Sequence, residues 1–122
     1  MARHALRGWD AFGIVGDVAR DWPDVEAATK YDGSPVLKCG GCFMAGMAVH
    51  ESSEIDTLVV RIDVDARPAL IEDAPETYYL TAYYEPHPVV LARLARIDGD
   101  ALRDLLAMAR RATLLKASRS RG

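Results

Sequence analysis

The sequence predicts an α+β domain, an antiparallel β-sheet with helices packed on one face. Three observations carry that expectation. Leu6, Trp9, Phe12, Val15, Val18, Ala19 and Trp22 recur every three or four positions, the period of an amphipathic helix. Thr57 to Asp63 alternates instead, with Leu58, Val60 and Ile62 on one side and Val59 and Arg61 on the other, the period of a half-buried strand. Near the end of the chain Leu102, Leu105, Leu106, Ala109 and Thr113 restore the helical stripe. The order is helix, strands, helix, strands, helix.

The first helix carries Gly13 and Gly16, which weaken it by about 1 kcal/mol each relative to Ala, so packing has to compensate. Pro23 ends it, because the residue before a proline is disfavoured in the α region. Val25 to Thr29 is a connection or a first strand, and Asp32-Gly33-Ser34-Pro35 is a turn. Val36 to Cys39 and Cys42 to His50 read as strands joined by Gly40-Gly41, a two-residue hairpin in which glycine permits positive φ. After a polar loop and the Thr57 to Asp63 strand, Asp65 is positioned to cap a short helix over Ala66 to Asp73. Pro68 is tolerated there because it falls in the first turn.

The segment Thr77 to Ile97 holds four of the five tyrosines. Tyr78 to Leu80 reads as a short strand, Glu85-Pro86-His87-Pro88 as a loop, and Val89 to Ile97 as a buried strand. Asp98 is the N-cap expected for the last helix. Asp100 and Asp104 near its start and Lys116 near its end suit the helix dipole.

A chain of 122 residues with half of them hydrophobic is one domain, 1–122, with a core over 6–116 and a basic tail at 117–122. No stretch approaches the roughly 20 apolar residues of a membrane span, and two cysteines do not make a secreted disulfide framework. The N-terminus lacks a signal-peptide core, so a cytoplasmic location without membrane association is expected. The net charge of −3 hides an asymmetry: residues 1–92 carry 7 Lys/Arg against 15 Asp/Glu, and residues 93–122 carry 8 against 3. The acidic total argues against nucleic acid and the basic end argues for it; a solvated helix with a basic tail accounts for the same residues.

Cys39-Gly40-Gly41-Cys42 has the C-x-x-C spacing, but the glycines and flanking strands favour a hairpin with the cysteines facing each other over a redox or metal site. Zinc needs four ligands and the three histidines have no ligand spacing, so no metal and no cofactor is expected. His87, between two prolines and beside Tyr83, Tyr84 and Glu85, is the polar site candidate, although nothing in sequence supplies a partner to orient it. Tyr83, Tyr84 and His87 therefore form a candidate ligand-binding loop. Adjacent Tyr78 and Tyr79 point to opposite faces, so only one of them can line a surface while the other enters the core. No phosphate-binding loop and no nucleophile-base order nominates an enzyme.

Several segments resemble the MmcQ/YjbR family of small proteins. They are Asp21 to Glu26 with Thr29, Gly33-Ser34-Pro35, Val36 to Gly41, Leu58 to Asp63, Tyr78 to Thr81 with Tyr84, Pro88 to Leu94, and Asp100 to Leu106, in order and at the right spacing over residues 9 to 116. The resemblance implies a CyaY- and frataxin-like fold, a twisted antiparallel sheet backed by helices at the chain ends, and a DNA-binding role. Under it Lys38, Arg61, Arg93, Arg110 and Arg111 would contact phosphate without reading bases. The chain departs from the pattern at Cys42, where a basic residue is expected, at Arg110 in place of a tryptophan, and at Leu115 in place of a proline. Iron binding, which frataxin-like proteins carry out on acidic ridges, would fall to Asp10, Asp17, Asp21 and Asp24; scattered carboxylates hold such cations weakly.

The leading functional expectation is a non-enzymatic DNA-binding protein, with a small-molecule or protein-binding module at Tyr83 to Pro88 as the alternative. Either a monomer or a dimer fits; a dimer would expose an apolar patch near Phe43, Met44 and Met47.

Overall fold

The computed structural model describes residues 11–121. Its elements in chain order are α1 (Phe12–Ala19), β1 (Val25–Thr29), β2 (Pro35–Cys39), β3 (Cys42–Met47), β4 (Thr57–Arg61), α2 (Arg67–Asp73), β5 (Tyr78–Tyr79), β6 (Val89–Arg93) and α3 (Gly99–Arg121). The six strands form one sheet in the order β1-β2-β3-β4-β6-β5, every neighbouring pair antiparallel. This is the α+β class expected from the residue periodicities, with α1 and the long α3 packed on the sheet. Among the described residues no helix is long and apolar enough to cross a membrane.

Alternation along the strands sorts side chains onto two faces. Leu37, Ala45, Leu58, Val60, Val90 and Ala92 face the helices and meet Val15 from α1 and Leu102, Leu105, Leu106 and Ala109 from α3. Each fully buried Leu or Val contributes about 1.5–3 kcal/mol by leaving water, and this cluster is the main store of stability. Val59, Val89 and Leu91 point the other way, into a smaller cluster completed by Tyr84.

Glycine is required at the β2–β3 turn, where Gly40 and Gly41 have φ of 60° and 80°, the mirror-image geometry that matches strand twist. The turn sets Cys39 opposite Cys42, as the hairpin reading expects. Gly40 also lies against α3, where an added Cβ would approach the Ala117 side chain to 3.0 Å.

Several expectations need correction. The first helix covers only Phe12–Ala19 among the described residues; Leu6, Trp9 and Asp10 lie outside them, and Trp22 joins the core from the turns that follow. Strand β3 stops at Met47 rather than His50, and β6 at Arg93 rather than Ile97. Thr57↔Arg93 is the last β4–β6 pair and β5 holds only Tyr78 and Tyr79, so no strand remains to pair with β6 beyond Arg93. The cap before α2 is Asp63, whose Oδ1 accepts the Asp65 N–H at 3.0 Å at the start of a 3-10 turn over Val64–Ala66. Asp98 does cap α3, accepting from the Ala101 N–H at 2.8 Å.

The apolar patch expected at Phe43, Met44 and Met47 does not form. The β2–β3 register shifts between Leu37 and Lys38, pairing Leu37 with Ala45 and Lys38 with Phe43, so Met44 has no opposite residue. Met44 and Met47 are buried in the helix-side core, with Met47 also reaching the lining of the open-face cleft, and Phe43 packs on the other face.

Candidate ligand cleft on the open face of the sheet

Among the described residues no helix contributes to the second cluster; Val59, Val89 and Leu91 pack with Phe43, Ala48, Tyr79 and Leu80 and with Tyr84, from the segment Thr81 to Pro88. Its first turn is closed by the N–H groups of Tyr84 and Glu85 donating to the Thr81 carbonyl at 3.0 and 2.9 Å. The His87 N–H then donates to the Tyr84 carbonyl at 2.9 Å, and Pro86 and Pro88 fix the φ angles on either side. A guanidinium holds the far end: Arg67 Nη1, from the start of α2, lies 3.1, 2.8 and 3.2 Å from the carbonyls of Glu85, His87 and Val89. The loop is thus a built element, tied at both ends.

Tyr83 and Tyr84 pack edge to face, ring centroids 4.9 Å apart at 85°. Tyr84 is buried against Val59 and Leu91, and that burial pushes its phenol above the ordinary tyrosine range, partly offset by the backbone N–H groups of His50 and Val49. Tyr83 is half exposed and stacks on the His50 ring at 3.5 Å and 12°. The Ser52 backbone N–H can only donate, and it points to His50 Nδ1 at 3.1 Å, which assigns the neutral imidazole proton to Nε2. The Ser52 hydroxyl lies 2.8 Å from the same nitrogen and 2.9 Å from the Thr81 hydroxyl, linking the β3–β4 loop to the tyrosine loop.

Beside this aromatic group the open face sinks into a cleft of about 280 Å³. Phe43, Met47, Val59 and Val89 supply apolar lining, Tyr83, Tyr84 and His87 the aromatic wall, and Lys30 and Arg61 the cations; among the described residues no carboxylate lines it. Arg61 is oriented by its Nε donating to the Phe43 carbonyl at 2.7 Å. Lys30 is placed by the β1–β2 turn, where Gly33 takes φ of 88° and its N–H donates to the Lys30 carbonyl at 2.8 Å. Asp32 braces that turn by accepting from the Ser34 hydroxyl and N–H, bonds that hold its carboxyl below the usual range.

The candidate ligand residues Tyr83, Tyr84 and His87 are therefore brought together. The five candidate phosphate contacts are divided. By register Lys38, Arg61 and Arg93 share the open face, whereas Arg110 and Arg111 lie on α3 across the sheet. Arg93 makes a two-pronged bond to Glu54 at 2.8 and 2.8 Å, donates to the carbonyls of Pro75 and Glu76, and lies 4.2 Å over the Tyr79 ring. Arg110 makes the same bond to Asp24 at 2.9 and 2.7 Å. These pairs hold the carboxyls of Glu54 and Asp24 below their ordinary range. Two of the five cations already have acid partners.

The other candidates resolve as follows. Tyr78 enters the helix-side core and Tyr79 the open face, as adjacent strand positions require. Cys39 and Cys42 are both free thiols; Cys39 is fully buried, which raises its thiol above the ordinary range, with the Asp24 charge adding to the shift. Asp17, Asp21 and Asp24 pair with Arg20, Arg103 and Arg110, while Asp10 lies outside the described residues. Among the described residues no group of three or more metal-ligating side chains comes together.

Sequence reading missed Arg67 and Lys30 in this site and gave His50 little weight. Arg67 looked like an ordinary start of helix; its partners lie 18 to 22 positions away, and no local pattern signals them. Compared with family models, curated proteins and solved structures, the chain matches none.

Proposed function

We propose that this chain is a non-enzymatic binding module that takes a small ligand into the cleft beneath the Tyr83 to Pro88 loop. One observation carries the reading: a preformed concavity with an apolar floor, an aromatic wall and convergent cations, held by a braced loop. Ligand sites are built in this way, mostly apolar with a few placed polar groups. The volume of about 280 Å³ suits a ligand of one or two rings. Tyr83 and Phe43 offer faces for packing, and Lys30 and Arg61 favour a negatively charged substituent.

Amide NMR of the labelled protein titrated with benzoate and with indole tests this. Saturable shifts at Phe43, Tyr83, Tyr84, His87 and Val89 are expected, weakened in Tyr83→Ala. Shifts that spread over the surface, or that persist unchanged in that variant, would reject the cleft.

A second reading is DNA binding through phosphate contacts, supported by the likeness to the MmcQ/YjbR family. The observation in its favour is that Lys38, Arg61 and Arg111 have no carboxylate partner among the described residues. The Arg93 and Arg110 ion pairs count against it, because a phosphate there would have to displace a two-pronged carboxylate. Fluorescence anisotropy of labelled duplex and single-stranded DNA at low and moderate salt decides it. Phosphate binding gives an affinity that falls steeply with salt and a flatter slope in Lys38→Ala with Arg111→Ala. Absence of binding at low salt would retire it.

A further inference from the structure

The cleft does not end at Arg61. That residue and Pro88 also line a second cavity, of about 370 Å³, between the end of β4 and the last turns of α3. Its walls are chemically unlike those of the first. Among the described residues no aromatic lines it; Ile62, Val64 and Leu115 supply its apolar surface, and Lys116 and Arg119 join Arg61 as cations. Its one acid, Asp63, is engaged in capping the Asp65 N–H.

The distribution of ion pairs reinforces the contrast. The arginines with carboxylate partners are Arg20, Arg93, Arg103 and Arg110, none of which lines either of these two cavities. Lys30, Arg61, Lys116 and Arg119 have no carboxylate partner among the described residues. Four cations outside any ion pair, against the single carboxylate of Asp63, leave the two adjoining concavities with an excess of positive charge, which favours a multiply charged anion. Arg61 sits at the join. Its Nε is spent on the Phe43 carbonyl, which orients the guanidinium and leaves the Nη groups for an anion.

Resting on the cleft reading above, we propose that the two cavities form one site for a nucleoside monophosphate. The planar base packs against Phe43 and Tyr83, and the phosphate crosses Arg61 toward Lys116 and Arg119. An aromatic wall on one side and cations without aromatics on the other match a ligand whose ring and anion are separated by a sugar.

Isothermal titration calorimetry of the full chain with AMP, adenosine and ribose phosphate tests the assignment. AMP is expected to bind at least about tenfold more tightly than either fragment, since only it engages both cavities. Lys116→Ala with Arg119→Ala changes exposed side chains and leaves the fold intact. That variant should lose about tenfold for AMP and nothing for adenosine. Equal affinity for AMP and adenosine, or an AMP affinity indifferent to the double variant, overturns the nucleotide assignment. Tighter binding of oligothymidylate than of AMP overturns it in favour of a strand. If benzoate or indole still binds in a Tyr83-dependent way while AMP does not, the inference fails and the cleft reading stands. If none of them binds, both fail.

Discussion

The two faces of the sheet are made by the same strands, yet they end in different states. On one, α1 and α3 close over Leu37, Leu58, Val60 and Val90, and two arginines of α3 are paired, Arg110 with Asp24 and Arg103 with Asp21. On the other, a tied loop covers part of a smaller cluster, and cations at Lys30 and Arg61 stand without acid partners beside a cleft. The difference teaches where binding capacity resides. The helix-covered face has buried its apolar groups and keeps only exposed cations at the end of α3, whereas the open face has both apolar surface and cations left over.

The strongest way to break the closed face is Leu106→Ala. Leu106 is fully buried between α3 and the sheet, so its loss should cost about 2–5 kcal/mol in urea unfolding, cavity included. The equivalent strike on the open face is Gly46→Ala. An added Cβ would stand 2.9 Å from Val36 Cγ1, 3.1 Å from Phe43 and 3.2 Å from the Pro35 carbonyl. Backbone and a β-branched side chain yield poorly, so a loss of about 1–3 kcal/mol is expected, with Phe43 pushed out of the cleft floor and ligand shifts weakened.

Arg67→Ala separates stability from binding. It removes the donor shared by Glu85, His87 and Val89 and should cost about 1 kcal/mol in unfolding, because the carbonyls of Glu85 and His87 are exposed enough to rehydrate. Its larger effect should be on the cleft: with the loop untied, the NMR shifts at Tyr83 and His87 weaken although circular dichroism stays that of the native fold. Shifts of unchanged size would mean that the loop holds its place without Arg67.

Acid titration sharpens the comparison further. Asp24, Glu54 and Asp32 are held below the ordinary range, Asp24 and Glu54 by arginines and Asp32 by Ser34. A lowered folded-state pKa contributes stability that is complete above the unfolded value, about 3.9 for Asp and 4.3 for Glu, and is lost as pH falls through the folded value. Unfolding midpoints should therefore be flat from neutral pH down to about pH 5 and then fall, and Asp24→Asn with Glu54→Gln should shrink that fall. The smallest effect belongs to Tyr31→Ser: the side chain is fully exposed on the β1–β2 turn, and the change should stay within about 0.5 kcal/mol.

Much of the architecture was legible because it rests on local periodicity. The three-to-four spacing in α3, the alternation in β4 and the Gly40-Gly41 turn each encode their element within a few residues, and the Asp98 cap announced where α3 begins. Strand ends were less legible. Arg93 ends β6 because Thr57 begins β4, a pairing between residues distant in sequence. The Met44 irregularity was equally hidden, since Cys42 to Met47 looks like an ordinary strand until it meets β2 out of step. For the site, Tyr83, Tyr84 and His87 could be nominated from a proline-braced aromatic loop, but Lys30, Arg67 and His50 could not.

The sequence by itself determined the α+β class, the two-residue hairpin and the alternation of side chains along each strand, because backbone geometry translates residue spacing directly into direction. Only the tertiary structure decided which cations are spent and which are free. Arg93 and Arg61 have the same residue type and share a face, yet one meets Glu54, separated from it by 39 positions, and the other meets a carbonyl and open space. Charge becomes available for binding only where folding brings no opposite charge within reach, and that is a property of long-range proximity.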